Sequence, residues 1–387
     1  MTAPLDGVIV VAVEQAIAAP FATRQLADLG ARVVKIERPG SGDFARDYDT
    51  AVDGSSAFFV WGNRGKDSVV LDLKSEDGRA TLETYVAGAD VFVQNLAPSA
   101  AERIGLLAAQ VHERHPHLIA CGISGYGLDG PRTDDKAYDL AIQAEAGAIS
   151  LTGSEVEPSK VGFSVADISA AMYALTSILA ALNRRHLTGQ GAVIELSMLE
   201  TLAEWTAAPT SGAVGRGVRP TRAGHRHAMI APYGVYPLAD GSEIVIAVQN
   251  QTEWVALCTD VFEQPQLVDD PRFAANEDRI ANIEAFEPVL RAALVAVPAD
   301  EMRARLAAAR IAVSSVNEPL ALWEHEQLRA RGRFTATELP GGRVETYRAP
   351  FNIDGVAGAA PKVPALGEHD AEVLAELERR AISRRRS

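Results

Sequence analysis

The chain has 387 residues, 47% of them hydrophobic and 23% charged. That is more than one hydrophobic core usually organises, so two domains, or one elaborated by an insertion, are expected. A formal charge of −14 excludes the basic footprint of a nucleic-acid binder, and no run of about 18 apolar residues reads as a membrane span.

The N-terminus lacks the basic region and cleavage pattern of a signal peptide, so the cytoplasm is the compartment expected, with no membrane partner. Cys121 and Cys258 are the only cysteines and stand far apart. They support neither a disulfide framework nor a cysteine zinc site, and both are expected to be buried thiols.

In chain order, short β-branched runs alternate with helical patterns, the signature of βαβ units and a mainly parallel sheet. The fold class expected is α/β, a Rossmann-like large domain with a smaller α+β domain. Strands are predicted at Val8–Val13, Arg32–Glu37, Ser68–Leu73, Asp90–Gln94 and Leu118–Ile123. The first connection is a helix with Pro20 near its start and Gly30 just past its end. A long helix follows Asp167, because Ile168, Met172, Leu175, Leu179 and Leu182 recur at helical spacing and Gly189 stops the run. A strand at Ala192–Leu196 and a helix at Met198–Trp205 complete this half. Residues 206–224 lose periodicity and concentrate Pro and Gly, as a linker should. Tyr233–Pro237 and Glu243–Val248 read as a hairpin with a turn at Asp240-Gly241, and helical stretches run on to about residue 330. The pair Gly341-Gly342 reads as a turn between strands, and Glu368–Ala381 as an amphipathic helix returning to the first domain. The divisions predicted are a large domain over 1–205 completed by 345–387, a linker over 206–224, a small domain over 225–330 and a return linker over 331–344.

A strand, a turn, a helix and a second strand ending in Glu37 have the spacing of a dinucleotide site, but the turn reads Glu14-Gln15-Ala16-Ile17-Ala18-Ala19-Pro20. Without its glycines, a pyrophosphate cannot sit on that helix in the usual way. Arg38 falls at the carboxyl end of a strand, the edge where open parallel sheets bind ligands; an ordinary solvated charge is the other reading. Asn63, Lys66, Asn95 and Arg103 sit at further strand ends and could converge on that edge. Asp167, just before the apolar helix, is either a plain N-cap or a carboxylate held anionic by the helix dipole and usable as a nucleophile. Both readings demand the same position. His225 and His227 lack a third metal ligand nearby, and Arg384–Arg386 read as a solvated basic end.

Taken together, several segments resemble CoA-transferase family III, also called the CaiB/BaiF family, over essentially the whole chain. They are Gly30–Asp43, Asn63 with Lys66, Leu71–Lys74, Asp90–Asn95, Arg103-Ile104-Gly105, Ser124–Gly127, Asp167, Arg184-Arg185, Thr188–Gly191, Glu195–Met198 and Leu366–His369. The resemblance implies an interlocked homodimer of threaded rings, with 206–224 as a crossing segment. It implies acyl-CoA and a small carboxylic acid as substrates, coenzyme A as a substrate and not a bound cofactor, and no metal. Asp167 matches the aspartate that attacks the thioester, and Gln15, Ala18, Arg38, Leu71, Leu73, Asn95, Arg103, Lys136 and Tyr138 match positions that contact coenzyme A or border the site. Ile17 departs from the glutamine some members carry.

The chemistry so implied is CoA transfer through a mixed anhydride and an aspartyl-CoA thioester. The alternative is a 2-methylacyl-CoA racemase of the same fold, which needs an acid and a base on opposite faces of the substrate. That branch has a histidine where this chain has Tyr138, a poor base near neutral pH. The stretch Ile230–Tyr236, with Gln249, Asn250, Glu253 and Trp254, resembles members acting on small dicarboxylates and points to succinyl-CoA as donor. Arg222 and Arg226 are candidates to meet a distal carboxylate.

Overall fold

The structure is a computed structural model that describes residues 3–353 and 361–386. It divides into two compact units, one formed by Met1–Ala148, Lys160–Arg216 and Gln327–Ser387, the other by Ile149–Ser159 and Gly217–Glu326.

The larger unit opens with β1 (Ile9–Val13), α1 (Ala18–Asp28), β2 (Arg32–Glu37), α2 (Ala57–Asn63), β3 (Asp67–Val70), α3 (Glu76–Gly88) and β4 (Val91–Gln94). It continues through α4 (Pro98–Arg103), α5 (Ala108–Arg114), β5 (Ile119–Ser124) and α6 (Asp139–Glu145) and, after the single turn α7 (Ala148–Leu151), whose last three residues are counted with the other unit, through α8 (Val165–Thr188), β6 (Ala192–Ser197), α9 (Met198–Trp205) and α10 (Ala207–Arg216). The strands form one six-stranded sheet in the order β3-β2-β1-β4-β5-β6, and every neighbouring pair is parallel. The run Ile9-Val10-Val11-Ala12-Val13 is apolar throughout because this central strand is buried on both faces of the sheet. The chain order reverses between β1 and β4, and ligands of such sheets bind at that switch point, outside the carboxyl ends of the strands.

By length and composition α8 is apolar enough to span a membrane. Here its small and apolar face, Val165, Ala166, Ala170, Ala171, Ala174, Leu175 and Ile178, is buried in one cluster with Ala18, Ala19, Ala22 and Leu26 of α1. Small residues on both helices allow close backbone approach, so the start of α1 and the start of α8 are held by the same core.

The smaller unit contains β7 (Tyr233–Pro237), β8 (Glu243–Ala247), α11 (Gln251–Ala256), α12 (Asn276–Ala281), α13 (Ile283–Leu294), α14 (Ala299–Ala308) and β9 (Ala312–Ser315). Its antiparallel sheet runs β7-β8-β9 over a core built on Trp254, Phe273 and Phe286.

The chain then passes through α15 (Glu326–Ala330), β10 (Phe334–Leu339), β11 (Gly342–Tyr347) and α16 (Asp370–Arg386). α16 buries Val373 and Leu377 against Leu82, Tyr85 and Val86 of α3. A Cβ added at Gly88 would stand 2.8 Å from the Leu377 carbonyl oxygen, so glycine is what permits this approach.

Three expectations are corrected. Residues 206–224, read as an aperiodic linker, contain the helix α10, whose run of Ala207, Ala208, Ala213 and Val214 outweighs Pro209 and the glycines. The return linker over 331–344 holds β10 and the start of β11, paired as an antiparallel hairpin about the Pro340-Gly341 turn. Arg384 is not a solvated end, since its guanidinium meets Asp90 Oδ1 at 2.6 Å, and Arg185 and Arg380 bind the same carboxylate. Both cysteines are buried, as expected, and burial pushes the Cys121 thiol up to about 12.

Truncating the fully buried Leu377 to alanine should destabilise the large unit by about 2–5 kcal/mol, the usual cost of a core cavity. Urea denaturation followed by far-UV circular dichroism would measure it.

Candidate active site

At the carboxyl end of β1 the chain turns at Gln15 and Ala16 before entering α1. Asn95, one residue past β4, clamps this turn from the neighbouring strand: its Oδ1 accepts the Gln15 N–H at 3.0 Å and its amide donates to the Gln15 carbonyl at 2.8 Å. Ala16 sits at φ 61°, left-handed backbone that costs an L-residue about 1 kcal/mol or more. Its N–H donates to Asp43 Oδ1 at 3.0 Å.

Asp43 belongs to a buried charge cluster beneath the turn. Its other oxygen accepts from Lys35 Nζ at 2.8 Å. Lys35 also reaches the Glu14 carbonyl at 3.3 Å and the Glu14 carboxylate at 3.5 Å, and Glu14 binds Lys66 at 2.6 Å and the Thr23 hydroxyl at 2.7 Å. Lys66 donates further to the Pro20 carbonyl and to Asn63. Burial disfavours both ammonium charges, but Glu14, Asp43 and Glu37 together raise Lys35, whereas burial wins at Lys66 and lowers it to about 7. Glu37, despite burial, is held at about 2 by Arg46 and Lys35. Asn63 and Lys66, read from the sequence as edge residues, are therefore committed to this cluster.

Asp167 stands at the third position of α8, which begins at Val165 with Ser164 in the cap position. The expected N-cap is corrected by a helix start three residues earlier, with Ser164 where Asp167 was expected. Asp139, opening α6, takes the orphan donor instead, its Oδ1 accepting the Ala166 N–H at 2.8 Å, while Gln143 donates to its Oδ2 at 2.7 Å. The charge state is corrected as well. Burial, then the Asp139 carboxylate, pushes Asp167 up to about 7, opposed by a hydrogen bond from the Ala18 N–H at the start of α1. Desolvation and a like charge outweigh the helix terminus that was expected to keep this group ionised.

Tyr48 adds a polar neighbour. Burial and the carboxylates of Asp43 and Asp167, with a smaller contribution from Tyr138, push its phenol up to about 12, so it is a neutral hydroxyl within electrostatic reach of Asp167.

Beside the turn lies a cleft of about 200 Å³ at the carboxyl ends of β1, β2 and β3, lined in part by Gln15, Arg38, Leu71, Leu73 and Leu96. Four of the predicted contact residues thus converge there. Arg38 is exposed, its Nε donating to Ser41 at 3.0 Å and its guanidinium 5.9 Å from the Phe44 ring centroid. Leu71 is fixed by its N–H to the Glu37 carbonyl. Asn95 adjoins the cleft as the clamp on Gln15, and Ala18 is buried facing Asp167. Arg103, at the end of α4, and Lys136 are exposed and do not line the cleft. Tyr138 is 69% exposed in the cap position of α6, and Ile17 is buried.

In the smaller unit, Arg222 donates to the Ser154 and Glu155 carbonyls and Arg226 pairs with the Glu155 carboxylate, so neither extends as a free cation. His227 stacks on Tyr233 with ring centroids 5.2 Å apart, and its Nδ1 accepts the Met229 N–H at 3.1 Å. Among the described residues there is no group of three or more metal-ligating side chains.

Sequence reasoning passed over Asp43, Tyr48 and Asp139 as site residues. Asp139 carries a legible signal, an acidic residue directly ahead of an apolar helix; Tyr48 carries none, because it meets Asp167 only through the fold.

The larger unit thus holds a doubly wound parallel sheet, a cleft at the carboxyl ends of β1, β2 and β3, and an aspartate at the start of α8 whose pKa is raised to about 7. Residues 5–370 match the family described as CoA-transferase family III. The chain is 32% identical over 385 residues to a succinate–glutarate CoA-transferase of Agrobacterium fabrum, covering 97% of this chain and 96% of that one. It is 38% identical over 298 residues to an acetyl-CoA:oxalate CoA-transferase of Acetobacter aceti, covering 76% of each. Its fold resembles the crystal structure of a CaiB/BaiF family protein from Brucella suis, with TM-score 0.81, 32% identity and coverage of 97% and 100% of the two chains. A Mycobacterium tuberculosis protein, Rv3272, gives TM-score 0.84 at 27% identity over 96% and 99%. The chain belongs to CoA-transferase family III and is an enzyme that transfers coenzyme A.

Asp167 gains a proton on folding, because its pKa rises from the ordinary aspartate range to about 7. The folded state therefore binds more protons than the unfolded one between about pH 4 and 7, and this group's contribution to stability is lost as pH rises through that window. Asp167→Asn should gain stability relative to the parent chain above pH 7 and not below pH 4, as read from thermal midpoints across pH. Asp139→Asn should lower the Asp167 titration midpoint, as read from the carboxyl band by infrared difference spectroscopy.

Proposed function

We propose that the chain is a succinyl-CoA:carboxylate CoA-transferase in which Asp167 is the covalent nucleophile and a small dicarboxylic acid is the acceptor. The observation that carries this reading is the Asp167 environment, a carboxylate that is desolvated yet ionisable near neutral pH and held by one backbone N–H. Removal from water strips a carboxylate of the solvation that blunts it as a nucleophile, provided it can still lose its proton at working pH.

The Asp167 carboxylate attacks the donor thioester carbonyl and expels the CoA thiolate, leaving a mixed anhydride of Asp167 and the donor acid. The thiolate then attacks the aspartyl carbonyl, releasing the donor carboxylate and forming an aspartyl-CoA thioester. An acceptor carboxylate attacks that thioester and again expels thiolate, and the thiolate takes the acceptor acyl group from the second anhydride and frees Asp167. Each acyl transfer passes through a tetrahedral centre, where the Ala18 N–H and the neutral Tyr48 hydroxyl are suitable donors to the developing oxyanion.

The cleft lined by Gln15, Arg38, Leu71 and Leu73 is read as the coenzyme A groove. Arg38 meets nucleotide phosphate there, Asn95 shapes the groove through Gln15, and Arg103, Lys136 and Tyr138 border it. Nucleotide binding energy then positions the thioester at Asp167. Relatives named for succinyl-CoA support that donor. Proton exchange on a 2-methylacyl-CoA is not favoured, because Tyr138 stands where that reading calls for a histidine. The working form in this reading is an interlocked homodimer in the cytoplasm, crossing at residues 206–224, and light scattering at twice the chain mass is the expected result.

Incubation with succinyl-CoA should add the mass of coenzyme A less one water to the intact protein, with hydroxylamine cleavage mapping to Asp167, and Asp167→Ala should lose both the adduct and transfer to glutarate. Transfer that survives in the alanine variant, or an adduct on another residue, would overturn the mechanism.

A further inference from the structure

We infer that Asp43 is a positioning residue for the reaction, fixing the turn between β1 and α1 so that the Ala18 N–H points at Asp167. The inference rests on the reading of Asp167 as nucleophile.

Asp43 is 4% exposed, and both its oxygens are used. Oδ1 accepts the N–H of Ala16 at 3.0 Å and that of Ala45 at 2.9 Å, and Oδ2 is fixed by Lys35 at 2.8 Å. Its own N–H donates to Glu37 Oε2 at 2.9 Å. The carboxylate is thus anchored from one side by β2 and grips the turn from the other. What it grips is Ala16, a residue with a Cβ held at φ 61°. Without an acceptor at that point, the peptide would relax toward the ordinary right-handed or extended regions. Ala18 lies two residues on, at the first position of α1, so a rotation at Ala16 re-aims its N–H.

Lys35 belongs to the same device. It is fully buried and lies too deep to meet a ligand, yet it bonds both Asp43 and the Glu14 carbonyl. It thereby ties the Asp43 carboxylate to the backbone that enters the turn. Besides burial, the groups that set the charge state of Asp167 are Asp139 from the start of α6 and the Ala18 N–H from α1. Of these, the Ala18 N–H is the one that favours the anion, and it is the one Asp43 aims.

Two charge-balanced double variants separate aiming from mere stability. Lys35→Met with Asp43→Asn keeps an oxygen acceptor for Ala16, and Lys35→Met with Asp43→Ala removes it; neither leaves a buried lysine unpaired. In single-turnover formation of the aspartyl-CoA adduct from succinyl-CoA, the asparagine variant should keep the acid limb of the parent enzyme. The alanine variant should move that limb to higher pH, because the anion has lost its hydrogen bond, and slow adduct formation at pH 7 by about 10- to 100-fold, the usual scale for a misplacement near 1 Å. A stability loss alone would lower the active fraction equally at every pH. Asp43→Glu is the second test. It keeps the charge for Lys35, displaces the oxygen from Ala16 and should shift the limb the same way. Superimposable pH profiles for the parent, the alanine pair and the glutamate variant would overturn the role of Asp43. Absence of any adduct at Asp167 in the parent enzyme would instead overturn the nucleophile reading.

Discussion

The turn from β1 into α1 depends on a cluster of charges removed from water. Glu14, Asp43 and Glu37 face Lys35, Lys66 and Arg46 at separations of 2.6 to 3.5 Å. Burying ions is costly, and a pair inside a protein repays that cost only when the geometry is good and the remaining lone pairs and protons are satisfied. Here they are: Thr23, Asn63, Ser68 and the carbonyls of Glu14 and Pro20 complete the shells. Such a cluster is a weak source of net stability but a strong source of uniqueness, since losing one partner leaves an uncompensated buried charge and costs about 3–5 kcal/mol. Its consequence is a turn with one conformation, although that conformation contains a residue in the left-handed region.

Asp167 shows two effects of comparable size meeting at one atom. The first turn of a helix and a backbone N–H each favour the carboxylate anion by roughly 0.3–2 kcal/mol. Burial works in the opposite direction and for fully buried carboxyls can reach several pKa units. Asp139 adds a like charge, and the sum lands near neutrality. A carboxylate in that position is a compromise: more solvent would make the anion abundant but shielded, and deeper burial would make it scarce.

Much of the larger unit was legible because its strands are runs of Val and Ile ended by polar or glycine turns. Arg32–Glu37 and Met198–Trp205 have the bounds read from the sequence, and the other strands shift by one to three residues at an end. Position along the chain identified Asp167 as a helix-start aspartate, but its ionisation was misjudged, because Asp139 and the overlying α1 are distant in sequence and their effect exists only after folding. The same limit hid Asp43 and Tyr48. It also gave Asn63 and Lys66 to a ligand: residues at strand ends look alike in sequence whether they face the cleft or the core, and here the buried Glu14 claims Lys66, which in turn holds Asn63. The helix over 207–216 was missed because Pro and Gly were weighed above the alanines between them.

The strand order is that of a dinucleotide-binding sheet, and the sequence of the first turn already argued against that use. The structure supplies a physical reason stronger than missing glycines. In a dinucleotide site the N–H groups at the start of the first helix are left open for a pyrophosphate. Here two of the donors in that region are taken by the protein's own carboxylates, Ala16 by Asp43 and Ala18 by Asp167. The start of α1 therefore faces an internal carboxylate where a dinucleotide site would leave room for a ligand's charge, and the open cleft lies toward β2 and β3, where Arg38, Leu71 and Leu73 line it.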